Sequence, residues 1–149
     1  MKSYYLLLAA SMAVSVMADE WPQYRGPYHT GASKESLAPW GDRGLRAVWK
    51  TATPNGFSSF VVAGGFAATQ YTVQGKETVA VLKADSGRMV WSAALDAADY
   101  GHDGGNAGAN DNMGGDGPRS SPSIDGGSVY VLSADFVLGR FSLQNCRKQ

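Results

Sequence analysis

The sequence is poor in the residues that build disulfide frameworks and hydrolytic sites. It has one cysteine, Cys146, which excludes an intrachain disulfide and any Cys-x-x-Cys metal or redox site. Its two histidines, His29 and His102, stand at the spacing of neither a metal-ligand pair nor a Ser-His-Asp arrangement. We therefore predict that both imidazoles are solvated loop side chains. No catalytic, cofactor-binding or metal-binding residue is assigned, and Cys146 is expected to be an unpaired thiol.

The sequence also lacks a charge surplus, since 13 Lys and Arg balance 13 Asp and Glu. Such a chain has no basic field to concentrate a phosphate backbone, which excludes nucleic acid from the expected partners. A hydrophobic fraction of 44% argues against general disorder, and 149 residues allow one domain. Glycine, with 19 residues, stands at about twice its usual level. This predicts a turn-dense chain rather than a helical bundle.

Residues 1–18 have the layout of a secretory signal peptide. Lys2 precedes an uncharged apolar run over 4–17, and Ala18 stands where signal peptidase cleaves. The run is too short for a membrane span of about 20 residues. A retained N-terminal anchor is the alternative, but cleavage after Ala18 is favoured. We predict an exported protein, periplasmic or extracellular, with no transmembrane span after cleavage.

The rest of the chain, residues 19–149, contains a repeat. Ser58-Ser59, four residues and Gly64-Gly65 are followed 62 residues later by Ser120-Ser121, four residues and Gly126-Gly127. Between the two copies lies the Gly/Asp/Asn-rich stretch 101–117. Without its 17 residues the period is 45, which is typical of the blades of a β-propeller.

Two tryptophans support the same period. Trp49 and Trp91 are 42 residues apart, and each ends an apolar segment. Cys146 aligns with Gly87 of the turn before Trp91, so the next tryptophan of this frame would stand at position 150. Gly and Asp at the turns favour tight hairpins, because those positions need positive φ. The predicted strands are 57–63, 66–73, 78–84, 88–95, 120–124, 128–134 and 137–143.

This pattern predicts an all-β fold of four-stranded antiparallel blades. One blade covers 57–95 and a partial blade covers 119–149, so the chain holds under two blades of a propeller that needs at least four. A strand at 45–50, carrying Trp49, is predicted to act as an N-terminal clasp in the outer position of the closing blade.

Two segments resemble the PQQ-like (pyrroloquinoline quinone) β-propeller repeat family. Residues 21–27, Trp-Pro-Gln-Tyr-Arg-Gly-Pro, are similar to the opening of exported members, and 81–91 resembles the blade signature. Lys83 and Ser86 replace the frequent Asp and Thr of that signature. The resemblance implies an exported propeller, of which this chain would be an N-terminal fragment.

The resemblance implies two functions. The favoured one is a non-catalytic scaffold or binding module for a protein or an extracellular polymer, like the outer-membrane protein assembly factors of this superfamily. The alternative is a fragment of a quinone-dependent alcohol or sugar dehydrogenase. PQQ and calcium are implied only by that resemblance. The single cysteine cannot form the vicinal disulfide on which many such enzymes stack the quinone. No cofactor is therefore expected.

Three sets of residues allow two interpretations. The stretch 101–117 could offer oxygen ligands to Ca²⁺ or be a solvated loop, and the loop is favoured. Tyr24, Arg25 and Tyr28 could form a recognition surface, but pinning of the N-terminal segment to the sheets is favoured. The recurring serines are expected to be structural residues at strand starts rather than nucleophiles. The possible calcium ligands are Asp103, Asn106, Asn110, Asp111 and Asp116.

Overall fold

A computed structural model of the chain describes residues 19–36, 39–42, 44–97 and 117–149. Within these ranges the chain forms seven β-strands and no helix, which confirms the predicted all-β class. In the same ranges, no helical segment has the length and apolarity that crossing a membrane requires. The strands are β1 Val61–Ala63, β2 Phe66–Val73, β3 Lys76–Lys83, β4 Met89–Ala97, β5 Ser123–Asp125, β6 Ser128–Leu132 and β7 Leu138–Ser142.

The first four strands form an antiparallel sheet in the order β1-β2-β3-β4, here called sheet 1. Its register places Ala68 opposite Val81, and Val81 opposite Trp91. The central strands β2 and β3 are buried along most of their length, on both faces. Their near-continuous apolar composition follows from that double burial.

The last three strands form a second antiparallel sheet in the order β5-β6-β7, here called sheet 2. The residues after β7 return along its edge. Lys148 forms a bridge with Phe141, and the Gln149 amide donates to the Arg140 carbonyl at 2.9 Å. Sheet 2 thus repeats the order of the first three strands of sheet 1, and its return segment begins the pairing of a fourth strand.

The main hydrophobic core lies between the two sheets. Valine and alanine side chains on one face of sheet 1 meet the buried side chains of β5, β6 and β7. Trp91 joins them, with its ring centroid 5.8 Å from that of Phe141. Each such side chain contributes about 1.5–3 kcal/mol when it is removed from water. The buried members on the side of sheet 2 are Ile124, Val129, Val131, Phe141 and Leu143.

The opposite face of sheet 1 is also buried, and a smaller core of Tyr71, Ala80 and Leu82 lies there. Residues near Gly56 run close beside β2, since a side chain built on Gly56 would come within 3.1 Å of the Tyr71 Cα atom and the Thr72 amide donates to the Asn55 carbonyl. The segment 45–50, predicted as the clasp strand of a closing blade, pairs with neither described sheet, and most of it is exposed. It is held by one side chain, the indole of Trp49, rather than by backbone pairing along a sheet edge.

The segment that follows Asp19 ties the two sheets together. Trp21 exchanges two backbone hydrogen bonds of 2.8 Å with Val62 of β1, and the Pro22 carbonyl accepts from the Ile124 amide of β5 at 2.8 Å. The chain therefore bridges the outer edges of the first strand of each sheet. The predicted signal peptide at 1–18 and residues 101–116 of the proposed loop lie outside the described residues.

Candidate functional site

The two sheets are related by a repeated tryptophan contact. The Trp91 indole N–H of sheet 1 donates to the Leu143 carbonyl of sheet 2 at 3.0 Å. The Trp49 indole N–H makes the same bond, at 2.9 Å, to the Ala84 carbonyl of sheet 1. Ala84 and Leu143 occupy equivalent places, because each follows the third strand of its sheet and precedes a turn. Trp49 thus meets sheet 1 as Trp91 meets sheet 2.

The turns that receive these indoles are also equivalent. The Lys83 amide donates to the Arg88 carbonyl across the first turn, and the Ser142 amide donates to the Arg147 carbonyl across the second, both at 2.9 Å. Gly87 and Cys146 stand at the same place with φ of 66° and 60°. The predicted alignment of Cys146 with Gly87 is confirmed. A side chain on Gly87 would meet the Trp49 ring at 2.5 Å, so glycine is required there.

The recurring serines bind backbone at the start of each sheet. Ser58 Oγ accepts from the Gln70 amide at 3.2 Å, and Ser120 Oγ donates to the carbonyl of Leu132, again 12 residues further on. Ser121 Oγ accepts from the Ser59 amide at 3.2 Å and so links the two repeats. These bonds support the structural role predicted for the serines.

A groove lies where the leading segments of the two sheets run side by side. A side chain on Gly117 would come within 2.7 Å of the Gly56 Cα atom, so only glycine permits this close approach. The Phe57 amide donates to the Pro118 carbonyl at 2.9 Å and fixes the register of the two segments. The groove has a volume of about 430 Å³ and is lined by Tyr24, Phe57, Ser59, Arg119, Ser120 and Ser121.

Aromatic rings, hydroxyls and a guanidinium share this groove. Tyr24 is 66% exposed, and Phe57 is also exposed. The Arg119 guanidinium stacks over the Phe57 ring with its central carbon 5.1 Å from the ring centroid, and it donates to the Gly117 carbonyl at 3.3 Å. Phe57 and Arg119 are equivalent positions of the two repeats, so this contact joins one repeat to the next.

A second hollow lies next to the groove. It shares Arg119 and Ser120 with the first hollow, and its lining includes Phe136, which is 85% exposed. Phe136 has φ of 61°, in the left-handed region that a bulky side chain rarely adopts. Because the two hollows share lining residues, we call them together the aromatic track: Tyr24 and Phe57 line the first hollow and Phe136 lines the second.

Two buried polar side chains hold the walls of the aromatic track, and sequence reasoning missed both. Gln70 Nε2 donates to the Ser120 carbonyl and hydroxyl at 3.3 and 3.1 Å, while the buried Gln70 Oε1 has no hydrogen-bond partner. Glu77 Oε2 accepts from the Ala134 amide at 3.0 Å, and the Glu77 side chain is fully buried. The sequence feature that could have identified Gln70 and Glu77 is a polar residue within a strand that is otherwise apolar.

The N-terminal residues Tyr24, Arg25 and Tyr28 were expected to hold the segment, but both tyrosines are exposed, and Tyr28 lies outside the lining of the aromatic track. The backbone bonds that hold the segment are those of Trp21 and Pro22. Gln23 Nε2 donates to His29 Nε2 at 3.0 Å, and His29 is exposed in a turn as predicted. Arg25 donates to the Thr30 carbonyl at 3.5 Å. The other histidine, His102, and the possible calcium ligands of 101–116 lie outside the described residues.

The sequence has no second cysteine for the vicinal disulfide of a dehydrogenase-type quinone site. Across 19–36, 39–42, 44–97 and 117–149, no three His, Cys, Asp or Glu side chains are grouped to hold a metal ion. Neither a known family model nor a curated protein matches the sequence of this chain.

Proposed function

We propose that the two sheets are successive blades of an exported β-propeller of the PQQ-like repeat type, which serves as a non-catalytic binding scaffold. One observation carries the proposal. Trp49 and Trp91, 42 residues apart, donate their indole N–H groups to equivalent carbonyls of successive sheets. A repeat that contacts its neighbour in the same way each time is the basis of propeller and solenoid folds.

The way in which sheet 1 packs on sheet 2 supports the stacking of successive sheets in one direction. The face of sheet 1 with Ala68 and Val81 packs on sheet 2, and the equivalent face of sheet 2 carries Tyr130 and Arg140. Arg140 stacks over the Tyr130 ring at 5.6 Å on that face. Each sheet therefore presents a different face to each side. A head-to-tail arrangement of this kind closes into a ring when the rotation permits.

The chemistry of the aromatic track supports binding rather than catalysis. Ser121 Oγ accepts from the Ser59 amide, while Ser120 Oγ donates to the Leu132 carbonyl and accepts from Gln70, so the hydroxyls of Ser120 and Ser121 serve the fold. A serine nucleophile needs an adjacent base that takes its proton. Exposed aromatic rings beside hydroxyls and a guanidinium instead provide contact area and hydrogen bonds for a bound partner.

Site-specific crosslinking tests the binding proposal in the producing cell. A photoreactive amino acid replaces Tyr24 in the groove, and a matched protein carries it at Tyr28, which is 59% exposed outside the groove. We expect a defined exported protein or polymer to be linked from position 24 and not from position 28. Equal, non-specific labelling from both positions would contradict the proposal.

An activity assay tests the non-catalytic part of the proposal. The purified protein is incubated with PQQ, Ca²⁺, an electron-accepting dye and a panel of alcohols and sugars. We expect no dye reduction above that of the mixture without protein. Quinone-dependent turnover would overturn the scaffold proposal in favour of a dehydrogenase.

A further inference from the structure

We propose that the aromatic track binds an oligosaccharide chain. This inference rests on the proposed function, because it names the class of partner that the scaffold takes. A sugar ring has an apolar face of C–H groups and an edge of hydroxyls, so it needs an exposed aromatic plane beside hydrogen-bonding groups. The groove supplies both, with Tyr24 and Phe57 next to Ser59, Ser121 and Arg119.

The aromatic track offers aromatic rings in two adjacent hollows. Its first hollow has a volume of about 430 Å³ and is lined by Tyr24 and Phe57. The second hollow shares Arg119 and Ser120 with the first, and its lining includes the exposed ring of Phe136. Stacking planes in both hollows suit a ligand that has several rings, as an oligosaccharide chain has.

The backbone around the groove disfavours a peptide in the same place. An extended peptide binds by adding a strand to a row of unpaired backbone groups. Here the Phe57 amide is bonded to the Pro118 carbonyl, the Ser59 amide to Ser121 Oγ, and Val62 to Trp21 through both of its backbone groups. The recognition surface is therefore made of side chains, and these suit the faces and hydroxyls of sugars.

Titration calorimetry with defined oligosaccharides tests the inference. The probes are a neutral β-1,4-glucan hexamer and a galacturonate hexamer, and binding of either one supports it. We expect Tyr24→Ala and Phe57→Ala to weaken binding by about tenfold or more, because each removes a stacking plane, and Tyr28→Ala to stay within about twofold. Phe136→Asn tests the other end with a residue that tolerates positive φ. Near-ultraviolet circular dichroism checks that each variant is folded.

Several results would overturn the inference. One is the absence of binding to both hexamers by the folded protein, and another is equal weakening by Tyr24→Ala and Tyr28→Ala. If position 24 crosslinks to a protein while neither hexamer binds, the saccharide inference fails and the scaffold proposal stands. If crosslinking also fails, both are overturned.

Discussion

Trp49 and Trp91 make equivalent contacts, since each donates its indole N–H to the carbonyl that precedes a turn of the next sheet. The acceptors are Ala84 at 2.9 Å and Leu143 at 3.0 Å. The equivalence extends to the turns themselves, where Gly87 and Cys146 share a left-handed conformation. An indole that binds the equivalent carbonyl in successive sheets joins each sheet to the next and covers the turn that follows that carbonyl.

Truncation of Trp91 should be the most damaging single change within this contact. Trp91 is buried between the sheets, packs against Phe141 and donates a hydrogen bond. Trp91→Ala should lower the free energy of unfolding by about 3–5 kcal/mol, because it leaves a cavity and an unpaired carbonyl. Denaturant unfolding measures the change.

In contrast, Asp111→Ala in the predicted solvated loop should change the free energy of unfolding by about 0.5 kcal/mol or less. Calcium-dependent melting would contradict that loop prediction.

The contact between Gly87 and Trp49 can be isolated with a matched glycine. Gly87 and Gly75 both have positive φ, of 66° and 73°, but only Gly87 faces the Trp49 ring, and a Cβ on Gly75 would meet no atom within 4 Å. Gly75→Ala should therefore cost about 1–2 kcal/mol from backbone strain alone. Gly87→Ala should lower the free energy of unfolding by more than Gly75→Ala does, and thermal unfolding of the two variants measures the difference. In a Trp49→Ala background the two costs should become equal, and a persistent difference would show that Trp49 does not occupy this place.

Alkaline pH should lower the free energy of unfolding, because it ionises the Tyr71 phenol of the smaller core. Burial raises the pKa of the Tyr71 phenol above its ordinary value of 10.0, so the unfolded state loses this proton first. The stability that the neutral phenol contributes is complete below pH 10 and is lost as the pH rises toward the folded-state pKa. Unfolding free energies measured across this window should fall less steeply in Tyr71→Phe. Parallel slopes in the two proteins would contradict burial of Tyr71.

Export is predicted from residues 1–18 and can be tested directly. Mass spectrometry of the protein recovered outside the cytoplasm should find Asp19 at the N-terminus, because Ala18 stands at the predicted cleavage site. An intact Met1 terminus on protein extracted from membranes would support the retained anchor instead.

The strands could be predicted from the sequence because each hairpin carries its own turn residues. Gly64-Gly65, Gln74-Gly75 and Asp85-Ser86-Gly87 supply positive φ where β1 to β4 reverse, and every strand overlaps its predicted range. The repeat was visible for the same reason, since equivalent turns use equivalent residues.

The walls of the aromatic track could not be predicted in this way. Gln70 is 50 residues from Ser120, and Glu77 is 57 residues from Ala134, so their burial depends on how the sheets pack. The apolar residues of 45–50 predicted a clasp strand, whose partner would be the closing blade. In the structure the Trp49 indole of this segment binds sheet 1, and its backbone lies outside both described sheets.

Hydrogen exchange of the indole N–H groups tests the repeated tryptophan contact most directly. The chain has four tryptophans, and Trp40, which is 50% exposed, is the internal reference. Single Trp→Phe variants assign the indole signals in a ¹⁵N-correlated spectrum. The Trp49 and Trp91 signals should exchange much more slowly than that of Trp40, because both indoles are bonded to the carbonyls of successive sheets. Exchange of either signal as fast as that of Trp40 would contradict the repeated contact.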